Sequence, residues 1–135
     1  MYNKNFITLL LLFLVILDLA LSTICLYSPE LWFKIMHGTG YADSLGIIRR
    51  LGAVWFAFLV FQSAALFLWK KQAWWLVLVA GIRFTEIFSD WVYWYFAENL
   101  TWFGYFGLLI SPPANLFFGI ILIKSYLQFH NEKPL

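Results

Sequence analysis

Gly81-Ile82-Arg83-Phe84-Thr85-Glu86-Ile87-Phe88-Ser89-Asp90-Trp91-Val92-Tyr93-Trp94-Tyr95 lies in the third long apolar run of the chain. Read as a helix, it places Arg83, Glu86 and Asp90 at i, i+3 and i+7. At about 100° per residue the three fall within an arc of roughly 60°. Charges at membrane depth are costly, face protein or water, and mark functional sites by default. The stretch therefore reads as a membrane-crossing helix with one polar face turned toward other helices.

The composition points the same way. Of 135 residues, 63% are hydrophobic, 22% aromatic and 12% charged. The mean hydropathy is +0.78. Soluble domains carry about 25% charged residues. A net charge of +2 is too small to call for nucleic acid, and no basic stripe forms. The single cysteine, Cys25, excludes an intrachain disulfide and a CxxC motif. His37 falls between the first two spans and His130 in the tail, so no span offers an imidazole to a haem or pigment. No metal and no cofactor is expected. The expected fold class is all-α: a multi-pass membrane protein, a four-transmembrane-helix bundle in one domain.

Four runs are long enough to cross a hydrocarbon core of ~30 Å, which needs about 20 residues. They are residues 6–27, 47–69, 73–97 and 104–126. The first also fits a signal peptide, with Lys4 as its basic flank and Ala20-Leu21-Ser22 as a small-x-small pattern. The run continues through Ile24 and Leu26, which favours a retained helix. Ser28-Pro29-Glu30 is a helix start: a capping serine, proline at the first position and an acid in the first turn. With Gly38 as the stop, residues 29–37 form a short interfacial helix with Trp32 at headgroup level. It serves as an anchor or as a lid over a site between the spans. Residues 38–44 are loop.

In the second span Gly52, Ala53, Ala57 and Ala64 are small enough for another helix to approach closely. The short Lys70-Lys71-Gln72 turn makes spans two and three antiparallel neighbours. Trp91, Tyr93, Trp94 and Tyr95 form an aromatic belt at the end of span three. Trp55, Trp69, Trp74 and Trp75 read as ordinary interface and packing residues. Ser111-Pro112-Pro113-Ala114-Asn115 interrupts the middle of span four, with a kink near residues 108–112. The tail from Leu127 is expected to fray. Asn99-Leu100-Thr101 matches a glycosylation sequon, best explained by chance.

Lys4, Lys70, Lys71, Lys124 and Lys133 fall on one side, and Lys34, Arg49 and Arg50 on the other. This favours cytoplasmic N- and C-termini. With ~1.5 Å rise per residue, Asp18, Gln62, Arg83, Glu86 and Asn115 fall within roughly 6 Å of the midplane. Asp90 lies at roughly 7 Å, and Arg49 and Arg50 at about 13 to 14 Å. Arginine stems bridge such a gap by snorkelling. The expectation is a central polar cluster of Asp18, Arg83, Glu86, Asn115 and Gln62, and an outer ion pair of Asp90 with Arg49 or Arg50. The structural alternative is plain. Arg83 and Glu86 form an i, i+3 pair that neutralises itself, and Gln62 alone makes a helix–helix hydrogen bond. Asp18 has the best claim to function, because no basic residue neighbours it on its own helix. Cys25 reads as an inert thiol in apolar surroundings.

A first span ending at Pro29 is followed by a loop with a short helix. Then come Arg49-Arg50-Leu51-Gly52 at the start of span two, and Gly81-Ile82-Arg83 with Glu86 in span three. In this layout the chain resembles the DoxX-like group of small four-helix membrane proteins. Asp90 and Pro112-Pro113 have no counterpart in that pattern. The resemblance implies a four-helix bundle and carries over no catalytic residue.

The functional expectation is a non-enzymatic membrane protein: an accessory subunit of a larger complex, or a binder of an apolar ligand whose polar head meets the Asp/Arg/Glu cluster. Two alternatives use the same residues. One is an intramembrane isomerase on a lipid-like substrate, with Glu86 or Asp18 as acid/base and Arg83 orienting charge. The other is a proton or ion carrier through Asp18, Glu86 and Asp90, which would require a homo-oligomer. The lipid bilayer is the one partner the composition implies.

Overall fold

The computed structural model describes residues 2–42 and 45–131. Among these residues the chain is all-helical: α1 (Lys4–Tyr27), α2 (Pro29–His37), α3 (Ile47–Leu68), α4 (Trp75–Phe96) and α5 (Trp102–Asn131). The expected loop residue Ser44 and tail lysine Lys133 lie outside the described residues.

Local chemistry sets most boundaries. The Asn3 side chain caps α1 by accepting from the Asn5 amide at 2.9 Å. Ser28 separates α1 from α2, and Pro29 occupies the first position of α2. The serine hydroxyl caps nothing. Instead the Ser28 carbonyl accepts from the amides of Leu31 and Trp32, at 2.9 and 3.2 Å. Gly38 ends α2 in the left-handed region, at φ 72°, where a side chain would be strained. Two extra turn residues delay α4, which begins at Trp75 rather than Ala73.

α1 packs along α3, and α4 along α5. α3 and α4, joined by the short turn, also touch. Buried positions recur three and four residues apart: Ile7, Leu11, Leu14, Asp18, Ser22 and Cys25 on α1. On α3 the series is Ile48, Gly52, Trp55, Leu59, Gln62 and Ala65. On α5 it includes Gly104, Leu108, Pro112, Asn115, Gly119 and Leu122. This is the seam of side-by-side helix packing. Gly52 lets α3 meet α1: a Cβ there would stand 2.9 Å from the Cys25 Cβ. Of the small residues expected to serve this contact, Ala53 and Ala57 are exposed and Ala64 is half-buried, whereas the fully buried alanine of α3 is Ala65.

The core has two apolar parts. The larger joins Leu11 and Leu14 of α1, Ala65 of α3, Val79 of α4 and Leu122 of α5. The smaller is built on Cys25, Ile48 and Trp55, with Trp32 packed against it. Trp32 meets Trp55 edge-on at 5.3 Å, so its ring is engaged with protein as well as with its surroundings. Trp69, expected among interface residues, is 1% exposed and lies against Phe129 at 5.4 Å.

α5 is less interrupted and longer than expected. The helix is continuous through Pro112 and Pro113 rather than broken there. Each proline lacks an amide hydrogen, so the carbonyls of Leu108 and Leu109 lose their helical donors without the helix ending. Nor does the tail fray from Leu127, since α5 runs to Asn131. Gln128 brackets the start of the chain, accepting from the Tyr2 amide at 2.9 Å and donating to the Tyr2 carbonyl at 3.3 Å. Phe129 is buried, with the Lys4 ammonium 5.4 Å from its ring centre.

Three helices, α1, α3 and α5, are long and apolar enough to cross a membrane. Their outward faces carry Leu9, Ile16, Phe67, Ile110 and Phe117, each at least 57% exposed. In water such surfaces aggregate; in lipid they are at home. α4 differs because every window of 18 residues within it contains Arg83, Glu86 and Asp90. The polar face that marks this helix also removes it from the purely apolar class.

Candidate functional site

A polar layer separates the two apolar parts of the core. On α1, Asp18 lies one turn beyond Leu14 and two turns before Cys25. On α3, Gln62 lies between Leu59 and Ala65. On α4, Arg83 follows Val79 by one turn. The three meet. Arg83 Nη2 donates to Asp18 Oδ2 at 2.8 Å, and the two side chains are 2% and 1% exposed. Gln62 Nε2 donates to the same oxygen. One carboxylate thus ties α1 to both α3 and α4 in an apolar interior, where an ion pair of good geometry is strong and an unpaired charge is costly.

Glu86 continues the face one turn along α4. Trp55 Nε1 of α3 donates to Glu86 Oε2 at 3.3 Å. Asp90 lies a further turn on, beside Ser111 of α5. Asn115 Nδ2 donates to Ser111 Oγ at 3.1 Å, so Asn115 joins the Asp90 side of the layer rather than the Asp18–Arg83 pair. Arg83 is the cation whose field reaches Asp18, Glu86 and Asp90. Three carboxylates and one guanidinium leave a formal excess of two acids.

The expected outer pair does not form. Among the described residues no ion pair joins Asp90 to Arg49 or Arg50. Both arginines are exposed in the first turn of α3, whereas Asp90 sits against α5. Two contributors escaped the sequence reading, Trp55 and Ser111. Trp55 precedes Gln62 by seven residues, two helical turns, and so shares its face. Ser111 precedes Asn115 by four, the spacing of side-chain neighbours on a helix.

The layer is incompletely satisfied. Gln62 Oε1, Arg83 Nε and Asp90 Oδ2 are buried without a hydrogen-bond partner. Buried polar atoms are nearly always paired, so each exception calls for a reason. They are two acceptors and one donor. Trp55→Phe keeps an aromatic ring, gives up part of the indole volume and removes the donor to Glu86. It is expected to lower stability by about 1–3 kcal/mol, measured by thermal unfolding in detergent. The same change in a Glu86→Gln background should cost clearly less.

A separate open pocket of about 450 Å³ lies at the C-terminal end of α4, where α2 meets the α4–α5 turn. Phe33, His37, Tyr93, Phe96 and Glu98 contribute to its lining. It contains none of the polar-layer residues. No group of histidine, cysteine and acidic side chains among the described residues could hold a metal ion.

No protein-family model, no curated protein and no solved structure matches this chain.

Proposed function

We propose that the chain is a four-span membrane protein, similar in layout to DoxX-like proteins, that binds an apolar molecule through a polar head at the Asp18/Arg83/Glu86 layer. On this reading α1, α3, α4 and α5 all cross the bilayer, α2 lies at its surface, and both termini are cytoplasmic. α4 counts as a span because its charges face protein: Arg83 is 2% exposed. The role is non-enzymatic, either in a larger membrane complex or as a carrier or sensor of the bound molecule.

One observation carries the ligand reading. Gln62 Oε1, Arg83 Nε and Asp90 Oδ2 are buried and unpartnered around an excess of acid. A purely structural ion-pair layer gains nothing from leaving them so, because each orphaned group costs about 1–3 kcal/mol. A ligand head with both donors and acceptors would satisfy them, and the surrounding aromatic and aliphatic side chains would receive its body.

Native mass spectrometry of the full chain tests this. The wild type, gently extracted, should carry a discrete bound mass. Asp90→Asn should lose it while remaining folded, because Asp90 Oδ2 has no protein partner to forfeit. A folded wild type that carries no bound molecule would sink the proposal.

A further inference from the structure

The open pocket beyond the polar layer has a chemistry of its own. Its walls come from α2, from the last turns of α4 and from the turn that follows. The Phe33 ring stacks on His37 and on Tyr41, each at 4.5 Å between centres. His37 Nδ1 is 2.9 Å from the Glu98 carbonyl. A carbonyl only accepts, so Nδ1 donates. Nε2 is 2.7 Å from the Tyr93 hydroxyl. Both ring nitrogens are thereby spent on holding α2 to the end of α4. The faces of Phe33 are taken by His37 and Tyr41, so the aromatic surface left to the pocket is that of Tyr93 and Phe96, with Thr39 and Asn99 beside them. Among the lining residues Glu98 supplies the one carboxylate, and there is no lysine or arginine.

We propose that this pocket binds a quaternary ammonium group. Such a cation is attracted to aromatic faces within about 6 Å. It needs no hydrogen-bond acceptor, so the engagement of the His37 ring and the Tyr93 hydroxyl with each other does not weaken it. Glu98 complements its charge, and no cation in the lining opposes it. An anion would find neither a positive charge nor a free ring N–H. The volume of about 450 Å³ is ample for a trimethylammonium head, since small-molecule sites run from about 300 to 1,000 Å³. The group could come from a choline lipid headgroup or from a free quaternary amine. The lipid source rests on the reading above that this end of the helices lies at the membrane surface.

Saturation-transfer NMR on the full chain in maltoside micelles tests it, with choline chloride as the probe and 3,3-dimethylbutan-1-ol as its uncharged isostere. Choline should bind saturably, and the alcohol at least about 5-fold more weakly. Phe96 is 74% exposed and Glu98 is also exposed, so neither holds the fold. Phe96→Leu and Glu98→Gln should each weaken choline by about 2- to 5-fold. Equal binding of choline and the alcohol, no saturable binding, or wild-type affinity in both variants would overturn the proposal. In nanodiscs, suppression of the choline signal by phosphatidylcholine but not by phosphatidylglycerol assigns a lipid headgroup. A signal retained in both assigns a free amine. Asp90→Asn should leave choline binding unchanged, which separates this site from the polar layer; its loss with an intact fold would contradict two independent sites.

Discussion

Arg83→Ala is expected to destabilise the protein by about 3–5 kcal/mol, the cost of leaving a buried charge without its partner. Arg83 and Asp18 are 2% and 1% exposed and meet at 2.8 Å. Without the guanidinium, Asp18 keeps only the Gln62 amide, and Glu86 and Asp90 lose the cation whose field reaches them. The sharper form is a pair of changes. Arg83→Met with Asp18→Leu removes both charges and refills the space, and replacing a whole buried pair with apolar groups is often neutral. The double variant should therefore recover most of the loss. Whatever deficit persists measures what Glu86 and Asp90 owe Arg83, and adding Glu86→Gln should reduce it. Unfolding in mixed micelles gives all four values. An Arg83→Ala variant within about 0.5 kcal/mol of wild type would mean that the pair does not hold the helices; surface-like effects have that size.

Gly104→Ala should be nearly as damaging, for a reason without electrostatics. A Cβ at Gly104 would stand 2.4 Å from the Met36 carbonyl oxygen and 3.2 Å from its carbonyl carbon. These are backbone atoms and cannot rotate away. The same junction carries the Thr101 amide on Met36 O at 2.8 Å and the Thr101 hydroxyl on Ile35 O at 2.6 Å. The methyl group forces α2 off the start of α5, with an expected cost of about 1–3 kcal/mol. Hydrogen exchange at the Thr101 amide should accelerate. Gly107→Ala, one turn along the same helix, is the control. Nothing lies within 4 Å of its Cβ position, so it should be neutral or stabilise by up to about 1 kcal/mol. Equal effects at the two glycines would contradict the close approach.

These residues also show what the sequence discloses. The helices are legible because uninterrupted apolar runs leave few alternatives, and α2 is bounded as expected by Pro29 and Gly38. The Asp18–Arg83 contact was within reach of depth arithmetic, since both fall near the middle of their runs. Which alanine of α3 turns inward was not. A helix among lipids is apolar on both faces, so Ala64 and Ala65 carry the same signal, and only packing separates them. The extent of α5 was hidden similarly. Pro112-Pro113 looks like a break, but a long helix with neighbours tolerates two missing hydrogen bonds. Leu127 onward looks like a tail, but Gln128 and Phe129 find partners near the start of the chain. Ser111 joins the polar layer through α5's contact with α4, which no local pattern encodes. Arg49 and Arg50 mark the opposite failure: equal depth does not imply a shared face, and they lie on the exposed side of α3.

The proposed four-span arrangement requires Asp18 and Arg83 to be paired inside the bilayer. Solid-state NMR can measure it directly, recoupling the 15N-labelled guanidinium of arginine to the 13C-labelled carboxyl of aspartate in lipid. Asp18→Asn and Arg83→Lys spectra assign the signal. The 2.8 Å nitrogen–oxygen contact predicts strong dephasing at a nitrogen–carbon separation of about 3.5–4 Å, one bond length beyond the hydrogen bond. No dephasing at this pair, in a protein whose helical content is intact, would contradict the account.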